Sequence, residues 1–241
     1  MAFVPANFLC FLLPFLTLLS STAAQTQANI SLGSSLTAAD NNLSWESPSG
    51  DFAFGFRQIG KDGFLLAIWF SKIPQKTIVW SANGNNLVQR GSKVQLTGDG
   101  LVLSDTNGDQ MWEAEITSPG VAYGAMLDTG NFVLANQTSA PLWQSFDKPT
   151  DTLLPAQTLA QGMKLVARYS ETNYSSGRYQ FEMQLDGNLV LNIRDTSAFT
   201  YWKSDTVGSG FAVIFNQSGF LSLQAKNGII LKIFSTPTSS T

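Results

Sequence analysis

The chain is predicted to be all-β, on three observations. Short apolar/polar alternations, the signature of half-buried strands, recur along it, separated by Gly- and Asn-containing turn pairs. Hardly any stretch repeats apolar residues at helical spacing. The third observation is a fixed period. Trp80, Trp112 and Trp143 stand 32 and 31 residues apart (112 − 80 and 143 − 112). Between them Thr97-Gly98-Asp99-Gly100-Leu101-Val102-Leu103 returns as Thr129-Gly130-Asn131-Phe132-Val133-Leu134. Later, Asp186-Gly187-Asn188-Leu189-Val190-Leu191 returns as Ser218-Gly219-Phe220-Leu221-Ser222-Leu223. A period of this length marks one supersecondary unit that buries its apolar face only by joining its neighbours.

Residues 1–24 carry no charged side chain. An apolar run over residues 8–19, broken by Pro14, leads to the small residues Ser21-Thr22-Ala23-Ala24 before Gln25. This predicts a secretory signal peptide over residues 1–24, cleaved near Ala24. No later stretch is long enough to span a bilayer, so no transmembrane segment is expected after cleavage. The only cysteine, Cys10, lies inside the signal, and the mature chain is expected to be secreted without a disulfide. Five Asn-x-Ser/Thr sequences, at Asn29, Asn42, Asn136, Asn173 and Asn216, then read as glycan acceptors.

The next segment, residues 25–148, holds an early cousin of the repeat, Ser49-Gly50-Asp51-Phe52-Ala53-Phe54, and the two later copies. About three such units are needed to close around one core. The three tryptophans are expected to meet near its axis and to carry burial energy. Asp105-Thr106-Asn107-Gly108-Asp109 faintly resembles a calcium loop. It lacks the glycine at the sixth place and has Ile116 where the twelfth, acidic ligand belongs, so it reads as a hairpin turn. A Pro-bounded turn over residues 149–155 links this segment to a second one, residues 156–241.

The second segment holds the stretch of most functional interest, Gln184-Leu185-Asp186-Gly187-Asn188-Leu189-Val190-Leu191-Asn192. Read as one strand, it turns Leu185, Leu189 and Leu191 to a core. Gln184, Asp186, Asn188, Val190 and Asn192 then line the other face. Same-face residues lie about 6.6 Å apart, so one sugar ring spans three of them. Amides and a carboxylate together offer donors and acceptors to vicinal hydroxyls. The plainer alternative is a half-exposed strand with a polar outer face.

This stretch resembles the Q-x-D-x-N-x-V-x-Y motif of the bulb-type (monocot mannose-binding) lectins. Gln184, Asp186, Asn188 and Val190 match, and Asn192 stands where the family has Tyr. The run Trp143-Gln144-Ser145-Phe146-Asp147-Lys148-Pro149-Thr150-Asp151-Thr152 resembles a signature of plant S-locus-type and G-type lectin receptor-like kinases, as do residues 49–56 and 79–83. The resemblance implies tandem β-prism (type II) domains, each of three small antiparallel sheets about a pseudo-threefold axis. It also implies mannose-type glycans as ligands. The corresponding strands of the first segment depart from the motif. One reads Gln95-x-Thr97-x-Asp99-x-Leu101. The other reads Met126-x-Asp128-Thr129-Gly130-Asn131, where an extra residue between Asp128 and Asn131 is expected to break the period of two. Both are therefore read as structural turns.

The chain has no histidine, a net charge of −3 and only 13% charged residues. With no mature cysteine either, His-based triads, thiol nucleophiles and the usual zinc sites are excluded. No enzymatic activity and no cofactor or metal is expected. The charge gives no reason to expect nucleic acid as a partner. The reading is a secreted or extracellular lectin module, at the plasma membrane if part of a longer receptor. The alternative is a degenerate lectin that docks a receptor kinase or another copy of itself.

Overall fold

The computed structural model describes residues 29–39, 43–61, 63–116, 118–194 and 199–235. The expected signal peptide, Cys10 and Asn42 lie outside them. In chain order the first twelve strands are β1 (Ile30–Ser31), β2 (Ser35–Thr37), β3 (Ser44–Glu46), β4 (Phe52–Ile59), β5 (Gly63–Phe70), β6 (Ile78–Ser81), β7 (Lys93–Thr97), β8 (Gly100–Ser104), β9 (Gln110–Glu113), β10 (Tyr123–Met126), β11 (Phe132–Ala135) and β12 (Pro141–Gln144). A 3-10 turn over Ser145–Asp147 follows. Then come β13 (Gln157–Ala160), β14 (Lys164–Ser170), β15 (Asn173–Met183), β16 (Leu189–Ile193), β17 (Phe199–Lys203), β18 (Ala212–Phe215), β19 (Leu221–Gln224) and β20 (Ile230–Ser235).

The strands form five antiparallel four-stranded sheets, nested like brackets. The meander β3-β4-β5-β6 is innermost; β2-β7-β8-β9 and then β1-β10-β11-β12 close around it. The same plan repeats once, with β14-β15-β16-β17 inside β13-β18-β19-β20. The all-β prediction therefore holds. The three sheets expected of each prism are complete in the first unit, and the second shows two among the described residues.

A recurring turn explains the recurring glycines. In residues 105–109, 127–131, 184–188, 216–220 and 225–229, the first N–H donates to the fifth carbonyl and the fourth N–H to the first. The fourth residue, Gly108, Gly130, Gly187, Gly219 or Gly228, has φ between +80° and +92°. That left-handed geometry costs glycine little and a branched side chain much. The Asp105 loop is one of these hairpin turns, and Asp105 Oδ1 accepts the N–H groups of Asn107 and Asp109.

Each sheet also has a bulge where its last two strands pair. The bulge follows Ile68, Leu103, Leu134, Leu191 or Leu223, and opposite these stand Trp80, Trp112, Trp143, Trp202 and Lys232. An extra residue twists the outer strand. In the first unit this geometry brings Trp80, Trp112 and Trp143 together edge to face, with centroids 5.8–6.0 Å apart. Behind them Phe54 and Phe132 stack at 4.3 Å, both sealed from solvent. Full burial of one such ring is worth about 1.5–3 kcal/mol. Trp80 and Trp143 are buried as expected, while Trp112 is only half-buried against the same core. The second unit's core is smaller, built on Leu159, Met183, Leu189, Val213 and Leu223.

The innermost sheet is buried on both faces. Its outer face, Ala53, Leu65, Ala67 and Trp69, packs with Leu87 and with Tyr174 of β15. This explains the unbroken apolar run of β5, which does not alternate as a half-exposed strand would. The two units approach closely at Gly84, where a Cβ would lie 2.3 Å from the Tyr174 carbonyl oxygen. Ser176 N–H donates to Asn85 Oδ1 across this seam, and the Gln157 side chain donates to the Phe146 carbonyl. Arg168 donates to Asp151 at 2.6 Å and lies over the Tyr174 ring.

Candidate functional site

Residues 184–192 do not form one continuous strand. β15 ends at Met183, residues 184–188 make the recurring turn, and β16 begins at Leu189. The alternation therefore crosses a hairpin, and the expected sorting of faces fails on the turn. Leu185, expected in the core, is 79% exposed at the turn's tip, whereas Leu189 is fully buried. The turn dipeptide Asp186-Gly187 carries the signal that the alternation hides. Gly187 has φ +87°, and a Cβ on it would lie 2.7 Å from the Gly210 carbonyl oxygen.

The turn brings Gln184, Asp186 and Asn188 together in five residues. Gln184 is half-buried and its amide has no partner among the described residues. Asp186 is exposed; one carboxylate oxygen accepts the Asn188 N–H at 2.8 Å, which leaves the other for a ligand. Asn188 is buried and already employed. Its Oδ1 accepts the Ser204 hydroxyl at 3.0 Å and the Thr206 N–H at 3.2 Å, leaving its two amide hydrogens. The Ser204 Oγ in turn accepts the Leu189 N–H at 2.9 Å.

Val190 was expected to offer an apolar spot to a ring. It is 2% exposed, opposite Glu182 and Lys203, and offers almost no contact surface. Asn192 lies four residues beyond Asn188, about 13 Å along the strand. Its amide is committed on both sides: it donates to Glu182 at 3.1 Å and accepts the Thr200 hydroxyl at 2.8 Å. The three turn residues are therefore brought together, and Val190 and Asn192 are not joined to them. Ser204 and Thr206, which position Asn188, have no signature in the sequence, because both act from beyond the next strand.

In the first unit, residues 127–131 make the same turn with the same length. The extra residue between Asp128 and Asn131 is therefore no insertion into the turn: Asp128 stands one place earlier than the motif's aspartate. Leu127 occupies the place of Gln184, Asp128 that of Leu185, and Thr129 that of Asp186. Asn131 repeats Asn188 closely. Its Oδ1 accepts the Ser145 hydroxyl and the Phe146 N–H, and Ser145 Oγ accepts the Phe132 N–H. Asp128 instead accepts the Ser49 N–H at 2.8 Å. Ser49, through its hydroxyl and its amide, holds the Asp128 carboxyl below its ordinary value. The turn is thus present without the motif's Gln and Asp. The first unit's other departed strand, β7–β8, makes a tighter hairpin with Thr97 opposite Gly100. Both read as structural.

Asn136, Asn173 and Asn216 each use Oδ1 to cap their own turn. The Thr138, Ser175 and Ser218 N–H groups donate to it. This leaves each Nδ2 on an outward turn. Asn29 is exposed at the start of the described chain. Among the described residues no cluster of three potential metal ligands occurs, and no helix is long and apolar enough to cross a membrane.

Residues 77–175 match the D-mannose binding lectin family. Gln184, Asp186 and Asn188 lie beyond the matched residues. The chain is 42% identical over 244 residues to the G-type lectin S-receptor-like serine/threonine-protein kinase LECRK2 of Oryza sativa subsp. indica, covering 95% of this chain and 30% of that protein. It is 42% identical over 222 residues to the G-type lectin S-receptor-like serine/threonine-protein kinase RLK1 of Arabidopsis thaliana, covering 83% of this chain and 27% of that protein. The chain thus spans about 30% of the length of the curated relatives it matches. Among solved structures, the Japanese Marasmius oreades lectin is similar at 17% identity and a TM-score of 0.37, over 48% of this chain and 88% of that one.

Proposed function

Because this chain belongs to the bulb-type, D-mannose binding lectin family and is related to the lectin receptor-like kinases, we propose that it is an extracellular binding module for mannose-type glycans. In this reading residues 25–148 and 156–241 are tandem lectin units joined by residues 149–155, exported by the signal over residues 1–24. Glycans sit on Asn29, Asn42, Asn136, Asn173 and Asn216. The module works by binding rather than catalysis.

One observation carries the sugar site: a single turn gathers the second Asp186 oxygen, the Gln184 amide, which has no partner among the described residues, and the Asn188 amide hydrogens. A carboxylate that accepts from two hydroxyls beside amides that donate to the same hydroxyls is complementary to a pyranose edge. Val190, buried, acts only by shaping the strand, and Asn192 is too short and too committed to reach the turn. Such an open turn buries little ligand, so single-site affinity is weak and useful only when multivalent.

A second reading, a degenerate lectin that docks a receptor kinase or another copy, is favoured by the altered first-unit turn and by Asn192. Titration with a mannose oligosaccharide separates the two. Wild type binds weakly; Asp186→Ala abolishes binding while the unfolding transition is retained. Asn192→Tyr strengthens binding by extending a hydroxyl toward the turn. Folded wild-type and Asn192→Tyr proteins that both fail to bind would establish the docking reading instead.

A further inference from the structure

A cavity of about 320 Å³ opens where the three tryptophans of the first unit meet. It lies on β6, β9 and β12, far in sequence from the turn of residues 184–188. Its wall combines Trp80, Trp112 and Trp143 with Glu113, Glu115 and Lys148.

The rings are packed edge to face, so each covers its neighbour and no gap remains between them for a cation cage. Trp80 and Trp143 are 6% and 5% exposed, and Trp112 alone is half-buried. The accessible aromatic surface of the wall is therefore chiefly that of Trp112. The Trp80 indole N–H is committed to the Lys148 carbonyl at 2.8 Å. Those of Trp112 and Trp143 have no acceptor among the described residues, and neither nitrogen is sealed from solvent. Glu115 is paired with Lys148 at 3.1 Å, both exposed, while Glu113 is exposed beside Trp112 with no ion-pair partner among the described residues.

We propose that this cavity is a second carbohydrate subsite, which takes one pyranose unit stacked on Trp112 with its hydroxyls held by Glu113 and Glu115. An aromatic plane suits the C–H face of a pyranose, and carboxylates with indole N–H donors suit its hydroxyl rim. A fully apolar ligand would strand the two indole donors and the Glu113 carboxylate. The subsite does not depend on the Asp186 turn.

The test uses the full secreted chain with 15N-labelled tryptophan. The indole N–H resonance of Trp112, assigned with Trp112→Phe, is followed during titration with methyl α-mannopyranoside, methyl β-galactopyranoside and N-acetylglucosamine. Tetramethylammonium serves as the cation control. A saturable shift of the Trp112 resonance is expected with at least one sugar, equally in wild type and in Asp186→Ala. Glu113→Gln, at an exposed position that leaves the other indole resonances in place, weakens that sugar about tenfold or more. The proposal is overturned if none of the sugars moves Trp112, or if tetramethylammonium alone does. It is equally overturned if Glu113→Gln binds like wild type, or if Asp186→Ala abolishes the shift.

Discussion

Asn188 Oδ1 accepts the Ser204 hydroxyl at 3.0 Å, and the pair locks the candidate turn to the start of the loop after β17. The same latch joins Asn131 to Ser145 at 3.1 Å. In both places the serine also takes the N–H of the residue that follows the asparagine. The latch is thus a structural part of the repeat, and of these two turns only the one at Asn188 also carries Gln and Asp.

Removing either asparagine strands buried donors. Asn131→Ala and Asn188→Ala are each expected to cost about 1–3 kcal/mol, read from urea unfolding midpoints at unchanged slope. Ser145→Ala and Ser204→Ala fall in the same range. Because Asn131 and Asn188 sit in different units, the double variant is expected to be additive.

The tryptophans are not equivalent. Trp80 and Trp143 are buried, and Trp80 also donates to the Lys148 carbonyl. Their replacement by Ala is expected to cost about 3–5 kcal/mol each. Trp112→Ala is expected to cost clearly less, since part of its ring is already in water. Equal melting temperatures for all three variants would contradict this ranking.

The seam between the units rests on a largely desolvated ion pair. The Arg168 and Asp151 side chains are 27% and 13% exposed and 2.6 Å apart. Asp151→Ala leaves a guanidinium with little water around it, and breaking a fully buried pair costs about 3–5 kcal/mol. Partial exposure brings the expectation to about 1–3 kcal/mol. Proteolysis between residues 149 and 155 is expected to quicken in this variant.

Acid is expected to loosen the Ser49 end of the first unit. The Asp128 carboxyl is held below its ordinary value of 3.8 by Ser49, and Asp51 is held low by Lys72 and then by Ser49. A carboxyl with a depressed folded-state value stabilises fully above its unfolded value and loses that contribution as pH falls through the folded one. The melting-temperature difference between wild type and Asp128→Asn is therefore expected to be constant above about pH 5 and to shrink below about pH 4. A difference that grows on acidification would reverse the sign.

Much of the architecture is legible in the chain because it repeats. The tryptophan period marks the last strand of each first-unit sheet, and the glycines at the fourth turn place announce a left-handed residue that no branched side chain fills. What escapes is register. Leu185 and Leu189 look alike in an alternating string, yet a hairpin separates them, and only one reaches the core. Asp128 looks like a displaced Asp186, although it occupies the place of Leu185 and is claimed by Ser49. Asn188 reads as a ligand donor because the partners that hold it, Ser204 and Thr206, come from another strand end and leave no local trace. Lys232, opposite Leu223 where the other sheets carry tryptophan, shows that the shared backbone position does not by itself dictate the side chain.

The bracketed strand order sets a timetable. The inner meander runs from Ser44 to Ser81 and needs only local chain to form. The outermost pairing joins Ile30 to Gly124, a separation of 94 residues (124 − 30). At ribosomal rates of about 5–20 residues per second, β1 waits about 5–20 s for its partner to emerge. During that wait β1 has no pairing partner and its backbone amides are unpaired. The two ends of the first unit therefore have to be kept from pairing elsewhere, and the shortness of β1, two residues, limits what a wrong neighbour can gain from it.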